Sequence, residues 1–427
     1  MQPITSTSRS FAGAMPRSTE TTDKAGLLGA LLDGIARELP RAVALRRRLH
    51  AEPELAHAEQ HTAASIAAEL PVACEAAAGT GRLALVAAND ARAPVAVRAE
   101  LDGLPIEERT GATCTAHGRA MHACGHDVHM AALVALTRAA HELSNALPAP
   151  LLAIFQPSEE AYPSGAQELL RGGELAALAP AAIVAAHVQP ELPWGAVGLD
   201  TGAVNASCDA VAITVEGEPS HGAYPHRGRD PILALAQIVV ALHAELGRRI
   251  NPLHPASLTV GVLEGGSAEN VIPERAVARG ALRAHRAEDR QALRELVEQV
   301  TAGVASAHGC RGSVELVPGE PTLENDTQVV TRARELLPAA GLVATDTWRS
   351  CGSDDFAFFS ALAPLAMAFV GLDGAEGFRA RPLHHPELLP PDDAVGAVAR
   401  VQAVLYLAAA QSSTDQTSSE HSSIPSA

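Results

Sequence analysis

Three short apolar runs separated by helical stretches constrain this chain more than anything else in it: Pro94-Val95-Ala96-Val97-Arg98, Leu151-Leu152-Ala153-Ile154-Phe155 and Ala182-Ile183-Val184-Ala185-Ala186. A strand that is apolar on both faces needs cover on both, so the pattern predicts a mostly parallel, doubly covered sheet of the α/β class. The texture changes near Asn205. Asp209 to Val215 alternates like a half-exposed strand, a helical stretch runs from Pro231 to Leu246, and Ala256 to Val262 is strand-like again. That order predicts a smaller open-faced α+β sheet, inserted into the larger unit and covered by helices on one side. Two domains also suit 427 residues, which is long for one hydrophobic core.

Composition excludes some partners. A net charge of −17 argues against nucleic acid, because phosphate binding needs a basic face. The six cysteines, Cys74, Cys114, Cys124, Cys208, Cys310 and Cys351, show no disulfide-framework spacing, which predicts a reducing compartment and a cytoplasmic protein. No run reads as long and apolar enough to cross a bilayer, so no membrane is expected as a partner. Residues 1–24 read as a disordered leader, and 411–427, almost all Ser, Thr, Gln and acidic residues, as a disordered tail.

The stretch Met121-His122-Ala123-Cys124-Gly125-His126-Asp127-Val128-His129 packs one thiol, three imidazoles and a carboxylate into nine residues. Cys124 and His126 flank a glycine, so on a turn both can face one ion. A thiolate with an imidazole suits zinc, nickel, cobalt or manganese-type centres better than calcium or magnesium. A helix from His126 to Leu143 would start beside this cluster. Polar groups also collect at strand ends, where open α/β sheets place their sites: Glu100 and Asp102, Glu159 and Glu160, and His187. A two-metal hydrolytic centre needs several ligands and one carboxylate left free to take a proton, and Glu159 and Glu160 can divide those tasks.

These residues fall in the order of a known family. Arg47-Arg48-Leu49-His50 with Pro53-Glu54-Leu55, Arg98 to Pro105, Met121 to His129, Phe155 to Glu160, Gly217 to His226, Gly265 to Pro273 and Gly352 to Phe356 carry the resemblance, which spans Arg47 to about Leu407. The chain resembles the metal-dependent amidohydrolases that include aminoacylases, hippurate hydrolase and indole-acetyl-amino-acid hydrolases. The resemblance implies a bimetal catalytic domain (25–204 and 317–410) interrupted by a lid or dimerisation domain (205–316), with a homodimer formed through the latter. It implies two divalent ions (Mn, Zn, Co or Ni), with Cys124 as the bridging ligand and His126, Glu160, His187 and His384 completing the set; His385 is the alternative to His384. It makes Glu159 the general base and Asp102 the carboxylate that orients the site. His221 becomes the histidine brought over the substrate carbonyl, and Asn270 and Arg283 the residues that meet the substrate's amide or carboxylate end. The chain departs from the family at Glu100, where Asp is more usual, at Asp354, where Glu is common, and at His385.

The activity so implied is hydrolysis of the amide bond of an N-acyl amino acid or similar conjugate, a small-molecule partner. Two other readings use the same residues. A cysteine hydrolase with Cys124 as nucleophile predicts inactivation by thiol alkylation without metal, and a non-catalytic binding protein for acylated amino acids predicts binding without turnover. The preferred acyl group and amino acid are not legible.

Overall fold

The computed structural model describes residues 19–88, 92–116, 118–345 and 347–421. Its larger sheet has eight strands. At the centre four run parallel, in the spatial order Leu151–Gln156, Val95–Glu100, Ala182–Pro193, Leu365–Asp373. Antiparallel pairing appears on both flanks, where Gly81–Val86 meets Leu151–Gln156 and Ala196–Gly198 meets Leu365–Asp373. The expected apolar runs are thus the middle of the sheet, and their two faces feed two cores. Val95, Val97, Leu151, Ala153 and Phe155 pack under the helices Thr19–Ala51, His126–Glu142 and Asp393–His421. Ala96, Leu152 and Ile154 face the other way, toward Leu169, Leu175 and Phe356. Period-two sorting of this kind leaves no strand face in water.

The crossover after strand Val95–Glu100 runs to Leu151–Gln156 on one side, and the next runs back past it to Ala182–Pro193 on the other, so the winding reverses at this strand. A crevice opens at such a reversal, beyond the carboxyl ends of the strands. Helix His126–Glu142 begins there, at Gly125, whose φ of 86° lies in the left-handed region. A Cβ at this position would stand 2.5 Å from Val188 Cγ2, so only glycine lets the Cys124–His126 turn lie against the strand that carries His187.

A second sheet has four strands, all antiparallel, in the order Ala256–Gly265, Arg275–Ala284, Ser207–Glu216, Arg311–Pro318. Helices Pro231–Arg249 and Ala287–Ala307 cover one face, over Val211, Ile213, Val215, Leu258 and Leu282. Ser207–Glu216 alternates buried and less buried residues, as its sequence suggests. The chain leaves the larger unit after Asn205 and returns at Leu323, and these two residues are partners in a short antiparallel ladder.

Two expectations meet the structure differently. The stretches read as leader and tail run into helices Thr19–Ala51 and Asp393–His421, and the remainder, 1–18 and 422–427, lies outside the described residues. Once a helix is nucleated, each further residue adds a hydrogen bond at little cost, so polar residues can prolong it. The expectation of no membrane-length apolar run is corrected: Pro231–Arg249 and Asp393–Gln411 both have the length and hydropathy of one. In the second, 89% of the stretch is buried in the protein, and a helix surrounded by core is apolar all round for that reason.

Candidate metal centre

Three imidazoles reach the crevice, two of them with one nitrogen already committed. His126 Nδ1 donates to the Asp102 carbonyl at 2.8 Å, and His187 Nδ1 donates to the Val188 carbonyl at 2.7 Å. In both rings Nδ1 is thus taken and Nε2 is the nitrogen left to face the crevice. His126 Nε2 is buried without a partner and stands 4.0 Å from Glu160 Oε1. His187 Nε2 is 3.4 Å from Cys124 Sγ. His384, placed by its backbone N–H on the Ala123 carbonyl at 2.8 Å and held at a φ of 65°, points Nε2 at Glu160 Oε1 from 3.2 Å. The neighbouring His385 turns back to accept the Glu387 N–H at 3.1 Å, so His384 is the one of the pair that faces the crevice.

The carboxylates arrive from strand ends. Asp102 Oδ2 accepts the Glu160 N–H at 2.9 Å while its carbonyl holds His126, so one residue orients two others. A Glu159 carboxylate oxygen lies within 4.8 Å of His126 and Glu160 on one side and of Asp354 and Asp355 on the other. Burial, and then the charges of Asp354, Glu160 and Asp355, push its carboxyl well above the usual range. Burial also pushes the Cys124 thiol well up, reinforced by Glu160, Glu159 and Glu100. His126 behaves oppositely: burial alone would lower it, but Glu100, Asp102 and Glu160 raise it to about 10.

Such a surplus of negative charge in a buried place is what a cation relieves. Buried His126 Nε2 and Asp102 Oδ1 have no hydrogen-bond partner, although buried polar atoms almost always have one. The set of one thiol, imidazole Nε2 atoms and a carboxylate matches the sulfur, nitrogen and oxygen preference of transition metals. The residues present fit the implied metals. The same surroundings weigh against Cys124 as an independent nucleophile, since a thiol ringed by carboxylates is held protonated.

The lid-type residues stand elsewhere. His221 and Asn270 are exposed on the second sheet's side, where His221 pairs with Val271 and the Gly222 N–H donates to the Asn270 carbonyl at 2.7 Å. Arg283 Nη1 donates to the Cys351 carbonyl at 2.9 Å, near Asp354 but occupied. Among the described residues no hydrogen bond or ion pair joins His221 or Asn270 to the Cys124 group.

Residues 96–407 match the family described as Peptidase family M20/M25/M40. The chain belongs to that family. It is 35% identical over 362 residues to the N-acetyl-L-cysteine deacetylase of Bacillus subtilis, covering 83% of this chain and 84% of that protein. It is 30% identical to the N-acetyldiaminopimelate deacetylase of Bacillus licheniformis, covering 86% and 98%. The YXEP protein of Bacillus subtilis, described as a dinuclear metal binding peptidase from the M20 family, shares the fold with a TM-score of 0.77 at 28% identity, covering 87% and 98%.

Beneath the M20 crevice lie residues to which the sequence reading assigned no part. Arg98 is fully buried and donates to Gln156 Oε1 at 2.9 Å, to Asp355 at 2.9 Å and to Asp354 at 3.2 Å, besides a contact with Glu100. His129 bonds Glu100 Oε2 through Nδ1 at 2.9 Å. A signal was present: Arg98 and Glu100 are charges two residues apart inside an apolar strand, hence on one face, and buried charges require partners.

Proposed function

We propose that this M20 chain hydrolyses the amide bond of N-acyl amino acids, releasing a carboxylic acid and a free amino acid. The observation that carries the reading is the convergence of Cys124, Glu160 and the Nε2 atoms of His126, His187 and His384 beside Glu159. Two divalent ions held by these five ligands (manganese, zinc, cobalt or nickel) supply, when bound, Lewis acidity toward the carbonyl and an acidified water. Glu159 takes a proton from the attacking water and returns it to the leaving nitrogen. Asp102 keeps His126 and Glu160 in register, so that both act from fixed positions.

His221 accepts the Ala223 N–H at Nδ1 from 3.0 Å, so its proton sits on Nε2, free to donate to an oxyanion once it is brought over the carbonyl. Asn270 meets the amide end of the substrate. Arg283 meets its carboxylate, after exchanging the Cys351 contact for a bidentate one. In this reading 25–204 with 317–410 is the catalytic domain and 205–316 the lid. A homodimer through the lid is supported by Ile232, Leu233 and Val240, the last 70% exposed, beside the unpaired edge strand Ala256–Gly265. Six free cysteines support a reducing, cytoplasmic setting.

The test is amine release from a panel of N-acetyl and longer N-acyl amino acids, using chelated protein before and after each ion is restored. Metal-restored turnover is expected, and Glu159→Gln should lower kcat about 100- to 10,000-fold while ion uptake persists. A folded, metal-loaded protein that cleaves no member of the panel would refute the reading.

A further inference from the structure

His129 belongs by position to the same cluster as the three ligand imidazoles. Its ring centroid lies 4.5 Å from that of His187 and 5.7 Å from that of His126, and one of its ring nitrogens lies within 4.8 Å of Glu100, His126 and His187. Proximity alone makes it a fourth imidazole ligand. Its hydrogen bonds point the other way. The Val188 N–H donates to His129 Nε2 at 3.0 Å, and a backbone amide can only donate, so Nε2 must be the bare, accepting nitrogen. The ring proton is therefore on Nδ1, where it meets Glu100 Oε2 at 2.9 Å. Both nitrogens are spent, one on backbone and one on a carboxylate.

What His129 holds is the peptide unit that follows His187. Val188 gives its N–H to His129 and its carbonyl to His187 Nδ1, so the same residue is gripped from both ends. Glu100 is in turn anchored by Arg98, which also bonds Asp354 and Asp355. The route from the guanidinium to the ligand runs Arg98, Glu100, His129, the Val188 amide, His187.

We infer that His129 is a positioning residue and not a metal ligand: it fixes the Val188 peptide so that His187 presents Nε2 toward Cys124. The inference rests on the dinuclear reading above. Its specificity lies in the donor order, since a ligand would leave Nε2 open and the Val188 amide would lose its acceptor. A partner that orients a ligand in this way is worth about 10- to 100-fold in metal affinity.

Cadmium serves as the probe. In nitrogen-labelled wild-type protein loaded with magnetically active cadmium, three histidines should show coupling to the metal at Nε2, while His129 stays uncoupled with its proton on Nδ1. His129→Gln, which keeps an acceptor near the Val188 amide, should fold as wild type by circular dichroism. His129→Leu, which keeps none, should lose about 10- to 100-fold in affinity for one of two ions, measured by chelator competition, with His129→Gln in between. The visible spectrum of the cobalt-loaded variants should shift at that ion alone. Coupling of His129 Nε2 to cadmium would overturn the inference while leaving the dinuclear reading intact. So would a folded His129→Leu with wild-type affinity and cobalt spectrum. If wild-type protein shows no histidine coupled to cadmium, the dinuclear reading fails and the inference fails with it.

Discussion

Ser158, immediately before the two glutamates, sits at a φ of 50°, a region that costs a non-glycine residue about 1–2 kcal/mol. Glu59, fully buried, holds it there: Glu59 Oε1 accepts the Ser158 N–H at 2.8 Å and Oε2 accepts the Thr80 hydroxyl at 2.8 Å. Glu59→Ala should leave both donors without a partner and cost about 1–3 kcal/mol in urea unfolding. Because the released turn carries Glu159, kcat at saturating metal should fall as well; an unchanged kcat would detach Glu59 from the site. Sequence alone cannot supply this residue, since Glu59 and Ser158 are 99 positions apart and meet only through the fold. The choice between His384 and His385 is hidden for a similar reason: adjacent histidines differ only in which way the backbone turns them. Cys124 and His126 were legible as a pair facing one place because a single glycine parts them, and Glu159 with Glu160 as a pair at a strand end, whereas only the family resemblance told the two glutamates apart.

Helix His126–Glu142 lies within one residue of its sequence expectation, with Leu143 as its cap. Its apolar residues at Met130, Leu133, Val134 and Leu136 are all buried, and the glycine before it gives an unambiguous start. That start is also where the element is most fragile. Gly125→Ala adds a Cβ 2.5 Å from Val188 Cγ2 on a backbone at a φ of 86°. Strain and overpacking together should destabilise the protein by about 1–3 kcal/mol and weaken ion uptake, read by thermal unfolding and chelator competition. If Gly125→Ala unfolds and binds ions like wild type, the close approach of helix and strand is not needed. The ends of the first and last helices were less legible, because polar residues near a terminus carry no stop signal when a packed helix precedes them.

Across the whole molecule, the two sheets have buried ion networks that respond to opposite ends of the pH scale. His50 lies between Asp127 at 3.0 Å and Glu108 at 3.2 Å under the larger sheet's helices. Burial alone would lower its imidazole, but Asp127 and Glu108 prevail and push it up to about 10. A group raised above its unfolded value near 6.5 contributes in full below that pH and loses the contribution as pH rises toward 10. Stability should therefore decline between those limits, by up to about 1.4 kcal/mol per pH unit, and the decline should flatten in His50→Gln. Urea unfolding at several pH values measures both slopes, and parallel slopes would remove His50 from the account. In the second sheet Asp209 works in reverse. Burial opposes its ionisation, but hydrogen bonds from Arg290 and Arg294 hold it down to about 2, so its contribution is present above the unfolded carboxylate value and is lost as pH falls through about 2.

The pairing of Asn205 with Leu323 makes the intervening stretch begin and end at a single spot. A segment tethered in that manner can be exchanged like a cassette, because the parent sheet keeps its strand order whether the cassette is long, short or foreign. Grafting the corresponding stretch of another M20 protein between these two residues should yield a folded chimera whose ion affinity stays with the recipient and whose choice of amino-acid conjugate travels with the donor.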